Sequence, residues 1–481
     1  MSFLAELRQS SRLAVGVAAS AATVGAIYGY DSSNIAGALL FLTPEFGLTA
    51  DTQGLVTTAV VIGEIAGALL GGTLANRLGR KPVMVGVAAT FALFSLLSGL
   101  AWSVPSLIVA RLLLGLTIGV SVVVAPVFIA ESAPQRIRGS LLVMYQVATV
   151  TGIILGYLIA WGLAESGNWR LMLGAAAIPG ALITVALWRL PDTPRWYMMR
   201  GRVDEARTVL AEIEPTADTE AELADIRAAL SEEHGGGGIR ELLRQPYLRA
   251  AVFVVGLGFF VQATGINAIV YYSPRIFEAM GFTGSAATLG LPALVQVAGL
   301  LAVFCSVALV DRLGRRPILL IGIAIMVLAN VVLVVTFSIG SDFGGALTAL
   351  GFLGLLLFTI GFTFGFGALV WVYAGESFPA RLRSLGASAM LTANLTANAV
   401  VAAVFLRLLE SLGGAGTFVL FGLLAVAAFG FTYRMAPETK GRALEDIRHY
   451  WENDGTWPVE GGPTPDGLTT RTPTVGHGSV R

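Results

Sequence analysis

Twelve apolar runs, each long enough to cross a bilayer, dominate this chain. They fall at roughly residues 13–42, 54–75, 83–103, 105–129, 140–163, 171–190, 248–280, 287–310, 317–339, 345–373, 384–408 and 415–434. About 20 apolar residues make one helical span. Inside hydrocarbon every backbone N–H and C=O must be bonded within its own segment, so runs that are apolar on all sides specify helices rather than strands. The composition agrees: of 481 residues 55% are hydrophobic and only 13% charged, with mean hydropathy +0.75, against about 25% charged in a soluble chain. The expected class is an all-α membrane protein with twelve transmembrane helices. A net charge of zero argues against a nucleic-acid footprint. The single cysteine, Cys305, excludes an intrachain disulfide. The first run exceeds a signal-peptide core in length and shows no A-x-A-type cleavage site, so it reads as retained.

Basic residues orient the spans. The loops at 76–82 (Arg77, Arg80, Lys81), 130–139 (Arg136, Arg138), 311–317 (Arg312, Arg315, Arg316) and 379–384 (Arg381, Arg383) carry them, while 43–53, 281–286 and 340–344 contain no Lys or Arg. The positive-inside rule places the basic set in the cytoplasm, and an even number of spans puts both termini there. A polar segment at 191–246 separates spans six and seven. It has helical patterns at 204–213 and 219–233 divided by Pro215, a glycine run Gly235–Gly238, and a further turn at 239–244. This is expected as a cytoplasmic helical linker, serving either as a solvated spacer or as a gate latch. After the last span ALEDIRHYWENDG reads as a short helix, and from about Gly461 the Pro/Thr/Gly-rich tail has a disordered composition.

The chain also repeats itself. NRLGRKP (76–82) returns as DRLGRRP (311–317), ESAPQRIRG (131–139) as ESFPARLRS (376–384), and PDTPR (191–195) as PETKG (437–441). Each pair follows the same span of its half: the second, fourth and sixth. The expected organisation is two parallel six-helix halves, 1–190 and 247–436, joined by the linker 191–246 and followed by a tail, 437–481. Parallel halves with a midplane site between them suit a transporter that rocks one half on the other.

With these motifs the sequence resembles the sugar porter family of the major facilitator superfamily over about residues 10–440. The R-x-G-R loops are shared across the superfamily. PDTPRW after span six, GINAIVYYSP in span seven and PETKG after span twelve carry the more specific resemblance. The resemblance implies the major facilitator fold and a cytoplasmic set of gate charges: Glu131 with Arg80, Arg138 and Arg195, and Glu376 with Arg315 and Arg383. Arg77, Asp192, Asp311 and Glu438 stand in the same motifs. Exposed pairs are each worth about 0–1 kcal/mol, so such a network biases a two-state equilibrium without locking it. The alternative is that these charges only set topology.

Asp31, in GYDSSN of span one, costs roughly 2.5–3.5 kcal/mol at mid-membrane and therefore needs a partner or a proton. Arg111, at the start of span four, is the well-placed cation, and opposite span directions put both in the outer half of the membrane. The resemblance implies that Asp31 and Arg111 form a proton-coupling pair; non-coupled members typically have Asn at the Asp31 position. Burial favours the protonated carboxyl and a nearby arginine the ionised one, so moving Arg111 loads or releases a proton. The membrane potential adds about 2.3 kcal/mol per charge per 100 mV, roughly a 50-fold gradient. A static ion pair and sodium coupling are the competing readings. Glu64, in the middle of span two, is a second proton site, a partner for Arg111 or another polar group, or a hydrogen-bonded structural residue.

A sugar presents hydroxyls and apolar C–H faces, so its site wants amides and an aromatic plane. By resemblance Gln146, Gln262, Asn267 and Asn394 are the amides, Trp371 the aromatic floor, and Tyr271 and Tyr272 the outer gate, with Gly265 free to loosen span seven. Each polar residue is otherwise helix–helix glue. The sequence departs from the pattern at Val261, where a glutamine is frequent. It departs also at Gly299, where an asparagine is common and Gln296 lies one turn earlier, and at Leu395, where a tryptophan often stands. The span-ten prolines before Trp371 are missing. Glucose or xylose specificity is therefore not assumed, and a polyol, a cyclitol or a less common sugar is open.

The expected function is import of a sugar or polyol by proton symport through alternating access in the plasma membrane. The protein is expected to act as a monomer with no cofactor, its partners being a small neutral polyhydroxylated solute, a proton and the bilayer. A facilitator of the same fold is the alternative. A non-transporting receptor predicts a long signalling tail, whereas only about 45 residues follow the last span. An enzyme is disfavoured: no nucleotide-binding loop or metal-ligand cluster occurs, and His234, His449 and His477 lie outside the spans.

Overall fold

A computed structural model describes residues 12–133, 138–214, 218–233, 238–245, 247–339, 345–442, 444–453 and 455–457. The breaks expected at Pro215 and 235–237, and the tail expected to be disordered, lie outside these residues, as does the Arg138 side chain.

Among the described residues ten helices are long and apolar enough to cross a membrane. The 35-residue helix Arg12–Phe46 precedes them, and the last of the ten turns back at Gly413 (φ 68°), making twelve spans. Spans one to five are Arg12–Phe46, Ala50–Leu78, Arg80–Gly99, Val104–Ser132 and Arg138–Gly162. Span six comes in two pieces, Trp169–Gly174 and Ala177–Trp188, and span seven in two, Tyr247–Ala263 and Ile266–Ala279. Span eight is Leu291–Leu313 after a π turn Ala286–Gly290; span nine is Arg315–Ile339. Span ten runs Gly345–Phe362, passes through a π turn Thr363–Gly367, and ends as Ala368–Glu376. Spans eleven and twelve are the two arms of Ala380–Met435.

The continuous apolar runs concealed three interruptions. Span six breaks ahead of Pro179, whose ring removes a helical N–H. Span seven breaks at Gly265, which sits at φ 99°, a conformation that glycine alone adopts without penalty. Span ten has no proline before Trp371; the π turn over TFGFG supplies the irregular backbone instead.

Lipid gives helices no hydrophobic reason to associate, so small residues and close backbone approach hold the bundle. A methyl group on Gly63 would sit 2.1 Å from the Leu112 carbonyl oxygen, and one on Gly115 1.9 Å from that of Val60. Spans two and four are thus in backbone contact. Spans one and five do the same through Gly29 and Gly152, whose methyls would meet the oxygens of Thr149 and Ala26. Leu69, Leu182, Val331 and Leu423 are exposed on the outside of the bundle, where hydrocarbon would lie.

The polar segment forms helices Pro194–Met199, Val203–Ile213, Thr219–Glu233 and Ile239–Leu242 on one face of the bundle. Buried Ala206, Leu210 and Leu223 pack together with Tyr197 and Met198, so this layer has a core of its own. The tail helix Leu444–Glu452 is docked by Trp451, which is buried and stacked on Phe253 of span seven.

At the opposite, far face the two halves meet. Arg407 of span eleven makes a bidentate pair with Asp51 of span two, 2.9 and 2.7 Å. Tyr157 of span five donates to the Val270 carbonyl of span seven, and Gly54 packs against the Ala403 carbonyl.

Candidate functional site

GYDSSN occupies span one where it meets spans four, five and six. Tyr30 and Asn34 both donate to the Met172 carbonyl, at 2.8 and 2.6 Å, just before the span-six break. Asp31 lies between them in sequence and turns to span four: Arg111 Nη1 is 3.5 Å from Asp31 Oδ1. Arg111 Nε also donates to the Val56 carbonyl of span two, 3.1 Å. Both charged side chains are buried, at 2% and 8% exposure. One guanidinium therefore ties spans one, two and four together. Glu64, 2% exposed, lies in the same interior, and its Oε2 has no hydrogen-bond partner.

The amide candidates come from spans five, seven, eight and eleven. Gln262 Nε2 donates to Asn394 Oδ1 and Asn394 Nδ2 to the Gly258 carbonyl, each 3.3 Å. Gln262 Oε1 and Asn267 Nδ2 are left without partners, which is the unmet capacity a polyhydroxylated ligand would use. Gln146 and Asn267 are half-buried, Gln296 is buried, and Trp371 is 47% exposed. Tyr271 is bonded by Asn398 Nδ2 at 3.2 Å. Tyr272 donates to the Ala402 carbonyl and stacks on Phe405 at 5.3 Å. Asn394, Asn398 and Ala402 are thus successive turns of one face of span eleven, all turned to span seven. Sequence reasoning missed Asn398, although its four-residue spacing from Asn394 was a visible signal.

The departures have local causes. A methyl on Gly299 would lie 2.9 Å from Thr359 Cγ2, so the space for a longer amide is filled. Val261 and Leu395 are buried in the core.

The charged motifs on the linker face do two things. Glu131 accepts from Arg80 Nε and Nη2 at 3.0 and 3.2 Å and from Thr193 Oγ1 at 2.6 Å, with Arg195 at 3.7 Å. In the second half Arg315 bonds Asp311 at 3.1 Å and stands 4.0 Å from Glu376. The expected Glu376–Arg383 contact is not made: Glu376 Oε2 and Arg383 Nε are both buried without partners, because the acid's other oxygen faces Arg315. Arg77 is exposed, and its carbonyl accepts from Arg200. Asp192 and Glu438 are helix caps. Asp192 Oδ1 accepts the backbone N–H of Arg80 and Lys81 at 3.1 and 3.2 Å; Glu438 accepts those of Arg315 and Arg316 at 3.0 and 3.1 Å. Both use the positive end of a helix. Among the described residues no group of three or more His, Cys, Asp or Glu is arranged for a metal ion.

Comparison with known proteins fits this geometry. The family described as "Sugar (and other) transporter" matches residues 17–451. The arabinose-proton symporter of Escherichia coli K12 is 37% identical over 449 residues, covering 92% of this chain and 94% of the relative. The galactose-proton symporter of the same strain is 37% identical, covering 89% and 92%. A probable polyol transporter of Arabidopsis thaliana is 32% identical, covering 92% and 95%. The partially occluded inward-open structure of the xylose transporter XylE from E. coli superposes with TM-score 0.79 at 25% identity, covering 90% of this chain and all of that one. The chain belongs to the sugar transporter family, the sugar porters of the major facilitator superfamily.

Proposed function

We propose that this protein imports a neutral sugar or polyol together with a proton, by alternating access in the plasma membrane, with its linker face cytoplasmic. The reading rests on one observation: a buried, unscreened Asp31–Arg111 pair placed in the same bundle as partnerless amide groups of Gln262 and Asn267. The proton symport named for the arabinose and galactose relatives supports it. Asp31 carries the proton. When Arg111 withdraws, the ionised carboxylate is left in low dielectric and takes a proton from water; when Arg111 returns, the proton leaves. Gln146, Gln262, Asn267 and Asn394 hold the solute's hydroxyls, Trp371 its apolar face. The halves close at the far face around Asp51–Arg407 and Tyr157–Val270, while the Glu131 and Glu376 clusters govern the linker face. Solute and proton cross together because each favours the same arrangement of the halves. The protein works as a monomer.

Purified protein in liposomes loaded with a pH dye, offered pentoses, hexoses, polyols and cyclitols, tests this. Solute-dependent proton entry is expected for at least one class, and Asp31→Asn is expected to lose uphill accumulation while exchange continues more slowly. A solute that equilibrates without proton movement would instead make the protein a facilitator.

A further inference from the structure

Span two brings a second acid to the Asp31–Arg111 pair. The Glu64 backbone packs directly on span four: a methyl on Gly119 would sit 2.1 Å from the Glu64 carbonyl oxygen. Its side chain is 2% exposed, with Oε2 unpartnered. The titratable and charged groups around it come from four other spans. They are Tyr28 and Asp31 of span one, Arg111 of span four, Tyr145 of span five and Tyr271 of span seven. The Tyr145 hydroxyl likewise has no partner.

Charge counting decides what this cluster does. It contains two carboxyls and one guanidinium, and Arg111 is engaged with Asp31 at 3.5 Å and the Val56 carbonyl at 3.1 Å. With both acids ionised, one buried negative charge would have no counter-ion, a burden of several kcal/mol. A group so placed takes up a proton instead.

We infer that Glu64 is a second proton-exchanging carboxyl of the transport cycle: Arg111 alternates between Asp31 and Glu64, the acid it leaves takes a proton from water, and the acid it joins releases its proton to water. Tyr145 precedes Gln146, and Tyr271 is bonded to Asn398, one turn beyond Asn394. The charge state of Glu64 is thus felt at the solute site and at the seam between the halves. This inference rests on the proton-symport reading above.

The test is the pH dependence of exchange in proteoliposomes, with L-arabinose, D-galactose and D-xylose as probes. Where binding requires a proton, the apparent affinity of the wild type falls about tenfold per pH unit above the titration midpoint. Glu64→Gln cannot draw Arg111 away, so the guanidinium stays with Asp31 and favours its ionised form, and the midpoint is expected to drop by about one unit or more; Glu64→Asp is expected to stay near wild type. An unchanged midpoint in folded Glu64→Gln overturns the inference. If neither variant folds, dicyclohexylcarbodiimide, which adds to protonated carboxyls in apolar surroundings, decides on the wild type. Label on Glu64 that disappears as pH rises supports the inference; label confined to Asp31 overturns it. Asp31→Asn run in parallel separates the two readings. Uphill accumulation surviving in it sinks proton symport itself. Its loss, beside a wild-type midpoint in Glu64→Gln, sinks only the role of Glu64.

Discussion

Gly79 leaves vacant the space that Asp192 fills: a methyl there would lie 2.2 Å from Asp192 Oδ2, and Gly79 itself stands at φ 110°. Gly314 has the same relation to Glu438, at 2.4 Å and φ 99°. The glycine of each R-x-G-R loop thus admits the acid of the later P-[DE]-T motif to the first N–H groups of the following span. Gly79→Ala combines a steric clash with a left-handed backbone, and about 1–3 kcal/mol of destabilisation is expected. A lower melting temperature in detergent, reproduced by Gly314→Ala, is the check.

Burial pushes the Asp192 carboxyl up from its ordinary value, more than its backbone N–H donors pull it down. The folded state therefore binds the proton more tightly than the unfolded one. That contribution to stability is complete below the ordinary carboxylate range and is lost as pH rises through the raised folded value. Asp192→Asn, whose amide oxygen still accepts, is expected to remove this part of the slope in a melting series against pH.

Asp51 and Arg407 are 61% and 68% exposed, so solvent and salt screen their pair and it contributes little. Breaking it with Asp51→Asn should shift the population toward opening at the far face by up to about fivefold. Cysteine labelling of the seam beside Gly54 and Ala403 reads this directly. The swap Asp51→Arg with Arg407→Asp should restore the wild-type rate, and added salt should mimic the single variant.

Removing Arg111 strands Asp31 and leaves the Val56 carbonyl without its donor. Arg111→Ala is expected to destabilise the protein by about 3–5 kcal/mol. Arg111→Lys retains the charge but not the reach to both acceptors. It should fold, and its proton-driven accumulation should fall more than its exchange, measured with the same liposomes.

Asn394→Ala should leave Gln262 without a partner while removing one of the proposed solute contacts. A loss of about 0.5–1.5 kcal/mol in binding is expected, some two- to tenfold in KM. Asn398→Ala, which frees Tyr271, should act on the rate of opening more than on KM.

Much of the molecule could be read before any coordinates. Apolar runs of span length, basic loops alternating with loops lacking Lys and Arg, and three ordered repeats sufficed for twelve helices in two halves, because lipid allows a backbone so few ways to satisfy its polar groups. The helical patterns of the linker were legible for the same local reason: the observed Val203–Ile213 and Thr219–Glu233 nearly coincide with the expected runs. Asp31 and Arg111 announced themselves as charges too costly to sit in hydrocarbon without purpose.

Contacts between distant segments were not legible. Nothing near Asp51 points to Arg407, 356 residues away, and nothing in GYDSSN indicates that Tyr30 and Asn34 would both serve the Met172 carbonyl. The π turn in span ten was hidden inside an apolar run, since composition does not record where a helix slips register. Local chemistry and the surrounding lipid thus settled in advance which segments are helices and which charges are anomalous. Tertiary structure alone decided which of those charges and amides meet, because a contact between spans depends on rotation and depth, and twelve similar apolar helices carry little information about either.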